Sequence, residues 1–383
     1  MNGRDRVLTA LQHREADRVP FDFGGTLVTG IHQIAYARLR DYLGLPRHPI
    51  TLFDQVQGLA LIEEDVLARL RVDTRGVLTG SSSGWVMSIE HGDGYEQYKD
   101  VWGITWRKPL PHGLYYDIVG NPLKGMSLED ARSYRWPEAQ DLNRLRGIKE
   151  RAQQLAQTQA LVMLGCTGMT AGLFQQLQWL LGYEYCFEAM ASDPPLIEYL
   201  IGRLAELDMR FWDWAIPFLG DDIAIVMYSD DFGVQTGPVI SKSMFNRYFK
   251  PWYSRIFDTI KRRAPQVQIF FHTCGSSRFV LPDLIEAGIN ILNPVQTSAQ
   301  GMDPAGLKQD FGKEVTFWGG GINTQKTLPQ GSRQDIRDEV RRTIDILAPG
   351  GGFVFATIHN IQADVSPENF MAMWEALMEF GCC

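Results

Sequence analysis

His272 and Cys274 stand two residues apart at the end of an apolar run, Phe270-Phe271-His272-Thr273-Cys274-Gly275. In an extended segment that spacing puts both side chains on one face. An imidazole and a thiolate suit Zn²⁺, and three protein ligands with an open fourth position make the catalytic form of such a site. The alternative is a buried cysteine beside a hydrogen-bonded histidine. A second candidate follows another apolar run, in Ala356-Thr357-Ile358-His359-Asn360. His359 either completes a metal site with His272 and Cys274 or contacts a polar substrate as a catalytic group, and Asn360 beside it offers an amide to a substrate. A third is Tyr228-Ser229-Asp230-Asp231. Adjacent carboxylates point in different directions. One is expected to face a cavity, as a general acid/base or as the group that holds a ligating histidine in one tautomer, while the other caps a loop or helix. Tyr228, with Asn293 and Gln296 of Asn293-Pro294-Val295-Gln296, completes the set of candidate substrate contacts.

Other features have plainer readings. Gly319-Gly320-Gly321 either approaches an anion or forms a tight loop, and the loop is expected. Cys166 reads as a small buried filler. Trp85, Trp102, Trp106, Phe174, Trp179 and Tyr183 either line an apolar pocket or belong to the core. Cys382 and Cys383 form a terminal pair for which a frayed tail is expected over metal ligation.

The elements that must position these residues alternate in kind. Eight β-like runs fall at residues 19–23, 73–77, 161–165, 223–228, 268–272, 289–293, 315–318 and 353–357. Between them lie segments of helical period, such as 243–263, 332–347 and a last helix opened by Ser366-Pro367-Glu368. Alternation of this kind gives a parallel α/β sheet, and a count of eight selects the (β/α)₈ TIM barrel, whose loops converge on one mouth at the strands' C-terminal ends. Residues 82–145 interrupt the pattern. His91-Gly92-Asp93-Gly94 reads as a turn between extended runs, so an antiparallel hairpin insertion is expected between strands two and three, capping the mouth. One domain over residues 1–383, with that cap inserted, accounts for the chain.

Composition narrows the function. The 383 residues carry a net charge of −8, and the short basic clusters Lys261-Arg262-Arg263 and Arg341-Arg342 sit in helical segments, so nucleic acid is not an expected partner. No apolar run reaches the length of a membrane span, and the first residues lack the apolar stretch of a signal peptide. Five cysteines in a chain of this length do not make a disulfide framework. A cytoplasmic enzyme is expected, with a homodimer as the candidate assembly.

Taken in order, these segments resemble the uroporphyrinogen decarboxylase superfamily over nearly the whole chain, from Arg4-Asp5-Arg6-Val7-Leu8 and Asp17-Arg18-Val19-Pro20 to Pro367-Glu368-Asn369. The most specific stretches are Asp231-Phe232-Gly233, His272-Thr273-Cys274-Gly275, Asn293-Pro294-Val295-Gln296 and Gly319-Gly320-Gly321-Ile322. The resemblance implies a (β/α)₈ barrel. It also implies one of two chemistries. True decarboxylases of the superfamily bind a polyanionic tetrapyrrole through an arginine-rich N-terminal segment, where this chain has Phe21-Asp22-Phe23-Gly24-Gly25-Thr26; an acid there opposes a polyanion. The other branch moves methyl groups to or from a corrinoid carried by a separate protein, and its thiol-directed members bind zinc through a His-x-Cys pair and a later cysteine. His272 and Cys274 match the pair, and His359 stands at the later position. The resemblance therefore implies a corrinoid-dependent methyltransferase with zinc at His272, Cys274 and His359, acting on a methoxylated aromatic or another small methylated donor or acceptor. A decarboxylase-like lyase on a carboxylated substrate, using Asp230 or Asp231, and a non-catalytic ligand-binding barrel are the alternatives.

Overall fold

A computed structural model describes residues 1–382. Seven parallel strands form one curled sheet in the order Phe353–Val354, Thr316–Trp318, Ile291–Asn293, Gln268–His272, Ile223–Ser229, Leu161–Leu164 and Thr74–Val77. The eighth expected run, 19–23, is not a regular strand, yet residues 20–22 close the ring. On one side the Asp22 amide donates to the Phe355 carbonyl (2.9 Å) and the Phe355 amide to that of Pro20 (2.8 Å). On the other, the Asp73 amide donates to the Phe21 carbonyl at 2.8 Å. Pro20 has no N–H to give a ladder, and the Phe21 amide goes instead to the Asp73 carboxylate at 2.8 Å. The segment thus fills a strand's place through a single parallel bridge, Phe21 to Phe355, rather than a continuous ladder. The architecture is a TIM-barrel fold of the α/β class.

The period of two along each strand builds two cores. Leu161, Met163, Ile225, Met227, Phe270, Ile291, Trp318, Val354 and Ala356 point inward and pack together in the barrel. Their out-of-phase neighbours, among them Val162, Val226, Tyr228, Phe271, Leu292 and Phe317, pack against the surrounding helices. Burial on both faces is why these strands read as continuous apolar runs.

The helices begin where their caps stand. Ser332 and Asp335 form a reciprocal capping box for Arg333–Leu347, and Ser366 accepts from the Asn369 amide at the start of Pro367–Phe380. The helix expected over 243–263 is two: Lys242–Tyr248, capped by Ser241, and Lys250–Arg263. Pro251 supplies the break, since it lacks a donor and disfavours helical geometry in the residue before it. Among the described residues no helix is long and apolar enough to cross a membrane.

The insertion is a four-stranded antiparallel sheet of Glu90–Gly92, Tyr95–Lys99, Thr105–Pro109 and Asp117–Gly120 in sequential order. Its first turn uses Gly94 at φ +75°, a conformation that favours glycine. The sheet docks on helix Leu173–Leu181: Trp106 meets Trp179 edge to face with centroids 5.1 Å apart, and the Asn121 side-chain amide donates to the Trp179 carbonyl at 2.8 Å. The C-terminal end of the insertion is tied by Asp141, which accepts from the Ser82 hydroxyl (2.7 Å), the Ser83 amide (2.6 Å) and the Asn143 amide (3.0 Å). Burial acts to raise this carboxyl's pKa, but the donors outweigh it and hold the group at about 2. A depressed pKa stabilises the fold above the unfolded value of about 4 and stops doing so as pH falls through the folded one. Asp141→Asn should therefore melt below the parent at neutral pH, and the gap should close between about pH 4 and pH 2. A gap that stays constant across that window would show the charge to be irrelevant.

Candidate metal centre and cavity

Strand register brings the first ligand and its support together. His272 ends its strand opposite Ser229 on one side and Asn293 on the other. The Asn293 side-chain amide donates to the Trp318 carbonyl at 2.7 Å, which turns its Oδ1 toward His272 Nδ1, 2.5 Å away. Nδ1 therefore carries the proton, and Nε2 is left with its lone pair toward the cavity. Cys274 Sγ lies 3.3 Å from that Nε2. The His359 ring stands 5.6 Å from the His272 ring, and a donor atom from each of the three residues lies within 4.8 Å of the others. Donors bound tetrahedrally to zinc are about 3.5 Å apart at ordinary Zn–N and Zn–S lengths. His272 and Cys274 are already at that separation, and the widest pair needs to close by about 1 Å.

Charge at the cluster is unfavourable without a cation. Burial, and then the nearby Asp231, push the Cys274 thiol well above its ordinary pKa. Burial, and then His272, lower His359 to about 3, which keeps its imidazole neutral. Two imidazoles, one of them held neutral by burial, and a thiol that a cation would ionise match the donor chemistry of a zinc site.

The two aspartates separate as their directions require. Asp231 lines the cavity; its Oδ1 accepts from the Cys274 amide at 2.7 Å and lies 3.9 Å from His272 Nε2. Asp230 turns away. Fully buried, it accepts from the Phe174 (2.6 Å) and Gln175 (2.7 Å) amides at the start of helix Leu173–Leu181 and from the Tyr253 hydroxyl, and burial raises its pKa to about 7. Its place is that of a helix cap, not of an acid/base in the cavity.

Three of the four expected substrate contacts also lie elsewhere. Tyr228 is out of phase with Met227 and Ser229, which line the cavity, so its ring lies in the helix layer and its hydroxyl donates to Asp208. Asn360 accepts from the Gly30 amide (2.7 Å) and donates to the Leu27 carbonyl (2.8 Å), fixing the loop between them. Gln296 accepts from the Gly275 amide at 2.6 Å and holds the turn after Cys274. The fourth, Asn293, is spent on His272. Of the glycines after Trp318, Gly319 and Gly321 donate to Val354 and Ala356, so these amides serve a tight loop. Cys166 is buried against Thr79, and Cys382 bonds the Met378 carbonyl; Cys383 lies outside the described residues.

The cavity has a volume of about 460 Å³. The barrel supplies His272, His359, Asp231, Ser229 and Met227; the insertion supplies Asp100, Trp102 and Trp106; helix Leu173–Leu181 supplies Gln175, Gln176 and Trp179; and the 54–57 loop adds Asp54, Val56 and Gln57. Asp54, Asp100 and Gln176 carried no sequence signal, because they reach the mouth only through loop and insertion geometry. A wider hollow of about 950 Å³ is lined by residues 82–85, 100–103 and others between 134 and 146, sharing Asp100 and Trp102 with the cavity but holding none of the three donors.

A (β/α)₈ barrel with His and Cys donors gathered at the C-terminal mouth under an inserted cap is the class that this fold and site define. Residues 118–380 match the uroporphyrinogen decarboxylase (URO-D) family, and the chain belongs to it. A uroporphyrinogen decarboxylase from Methylococcus capsulatus is 26% identical over 192 residues, and the chain spans about half (51%) of that relative's length. A methyltransferase from Methanosarcina mazei has the same fold over 99% of both chains, with a TM-score of 0.64 and 17% identity.

Proposed function

We propose that this protein is a methyltransferase that works with a separate corrinoid protein, with a zinc-type cation at His272, Cys274 and His359 assisting transfer of a methyl group from a small donor. The observation that carries the reading is the cluster itself: three donors within 4.8 Å, two of them in the cavity wall and one fixed in the tautomer that a metal needs. Family membership supports a methyltransferase-like or decarboxylase-like enzyme, and the methyltransferase fold neighbour accords with the first.

A bound cation supplies Lewis acidity toward the methylated heteroatom of the donor. The chain's own residues do the rest. Asn293 holds the proton on His272 Nδ1. Asp231, 3.9 Å from Nε2, is placed to hold or accept a proton released as a ligand or leaving group changes charge. Trp102, Trp106 and Trp179 wall the donor from water, and the corrinoid partner would approach over the same mouth.

The decarboxylase reading is disfavoured by electrostatics. Neither Lys nor Arg lines the cavity, whereas Asp54, Asp100 and Asp231 do. A carboxylated substrate would meet three acids and no countercharge. The experiment is a zinc titration of chelator-free protein, followed by visible spectroscopy of cob(I)alamin mixed with the protein and methylated compounds. Stoichiometric zinc and conversion to methylcobalamin are expected. Failure of added zinc to bind would remove the metal reading, and turnover of a porphyrinogen would replace it with decarboxylation.

A further inference from the structure

We propose that the methyl donor carries a positive charge, an ammonium-type head seated at the cap end of the cavity, while its methylated heteroatom reaches the His272–Cys274–His359 cluster. The inference rests on the methyl-transfer reading and adds the substrate's charge to it.

The cavity has two unlike ends. The barrel wall carries the donor cluster. The opposite wall comes from the insertion, the 54–57 loop and helix Leu173–Leu181. There Trp106 and Trp179 stand at 86° to each other, so their indoles form two sides of a corner, and Trp102 lies beside them. Indole faces attract organic cations, and corners of this kind bind alkylated ammonium groups without needing a hydrogen bond from them. Asp100 is built into that corner. It accepts from the Trp102 and Ile104 amides and from Trp106 Nε1, each at 2.9 Å. Asp54 accepts from the Gln57 amide at 2.7 Å. Burial raises the pKa of both carboxyls and their donors act against it; no lysine or arginine in the lining supplies the positive partner that would favour their charged form. A cation from outside is the missing partner.

A second polar group waits at the same place. Gln176 is 1% exposed and lines the cavity; its Oε1 accepts from the Ala171 amide, while its Nε2 has no partner. A buried amide donor left open costs free energy until something accepts from it. A ligand with an ether or hydroxyl oxygen a few bonds from its charged head satisfies both features: the oxygen to Gln176, the cation to the corner.

The test is calorimetric binding to the full chain of choline, tetramethylammonium, the neutral choline isostere 3,3-dimethylbutan-1-ol, and benzoate, with zinc stoichiometry measured on the same sample. The two cations should bind, the isostere at least tenfold more weakly, and benzoate not at all. Asp54→Asn, which keeps the oxygen facing the Gln57 amide, should weaken choline by roughly tenfold and leave the isostere unchanged. Asp100→Asn should do the same where it folds, and the Asp54 variant suffices where it does not. Equal affinity for choline and its isostere, or binding of benzoate in place of both cations, overturns the proposal, as does failure of both cations to bind. Such a failure with stoichiometric zinc leaves the methyl-transfer reading standing; cation binding without zinc does the reverse.

Discussion

His272→Ala and Cys274→Ala should each abolish stoichiometric zinc binding and lower methyl transfer by about a thousandfold. That follows if the cation supplies several kcal/mol at the transferring centre and each 1.4 kcal/mol is a factor of ten. A zinc site with three protein donors has none to spare. Asn293→Ala should cost less, about 10- to 100-fold in zinc affinity, because His272 stays present but loses the group that fixes its proton and ring. The gradation is the informative part. If all three variants fold as the parent does and retain zinc and activity, the cluster is a packing feature. Thermal melts with and without zinc separate the cases: ligand that binds only the folded state raises its melting temperature, and the increment should vanish in the ligand variants.

Asp230→Ala should destabilise the fold by about 3–5 kcal/mol, from three buried donors left unmatched at about 1–3 kcal/mol each with partial relaxation. The donors are the Phe174 and Gln175 amides and the Tyr253 hydroxyl. Against a typical total of about 5–15 kcal/mol the loss is large, and a denaturant midpoint measures it. The helix that Asp230 caps carries Gln175, Gln176 and Trp179 into the cavity. Ligand affinity should therefore fall with stability although Asp230 touches no ligand. Asp230→Asn, which keeps one acceptor oxygen, should lie between parent and alanine. Parent-like stability of the alanine variant would mean that these donors find other acceptors.

The adjacent pair Asp230-Asp231 shows how far local reasoning reaches. That one carboxylate faces the cavity and one caps a helix follows from alternation along an extended chain. Which is which depends on the phase of the Ile223–Ser229 strand against the barrel axis and on where helix Leu173–Leu181 begins, some 55 residues earlier in the chain. Tyr228 depends on the same phase: its type suits a substrate contact, but its position along the strand places it among the helices. Asn360 stands beside His359 in sequence, yet its amide is taken up by Gly30, Leu27 and Gln57, more than 300 residues earlier, and the Gln296 oxygen is spent on the Gly275 amide.

The sequence by itself determined the alternation of strands and helices, seven strands of the barrel, the inserted antiparallel sheet, and the residue types that meet in the His272, Cys274 and His359 cluster. These are encoded in side-chain period, turn chemistry and residue type, all of which act over a few neighbours. Only the tertiary structure decided that residues 20–22 close the barrel through a single bridge rather than a full strand, that Asn293 fixes His272, and that Asp54, Asp100, Gln176 and three tryptophans share one cavity. These depend on strand register and on the docking of the insertion, which bring together groups from far apart in the chain, and no local pattern carries that information.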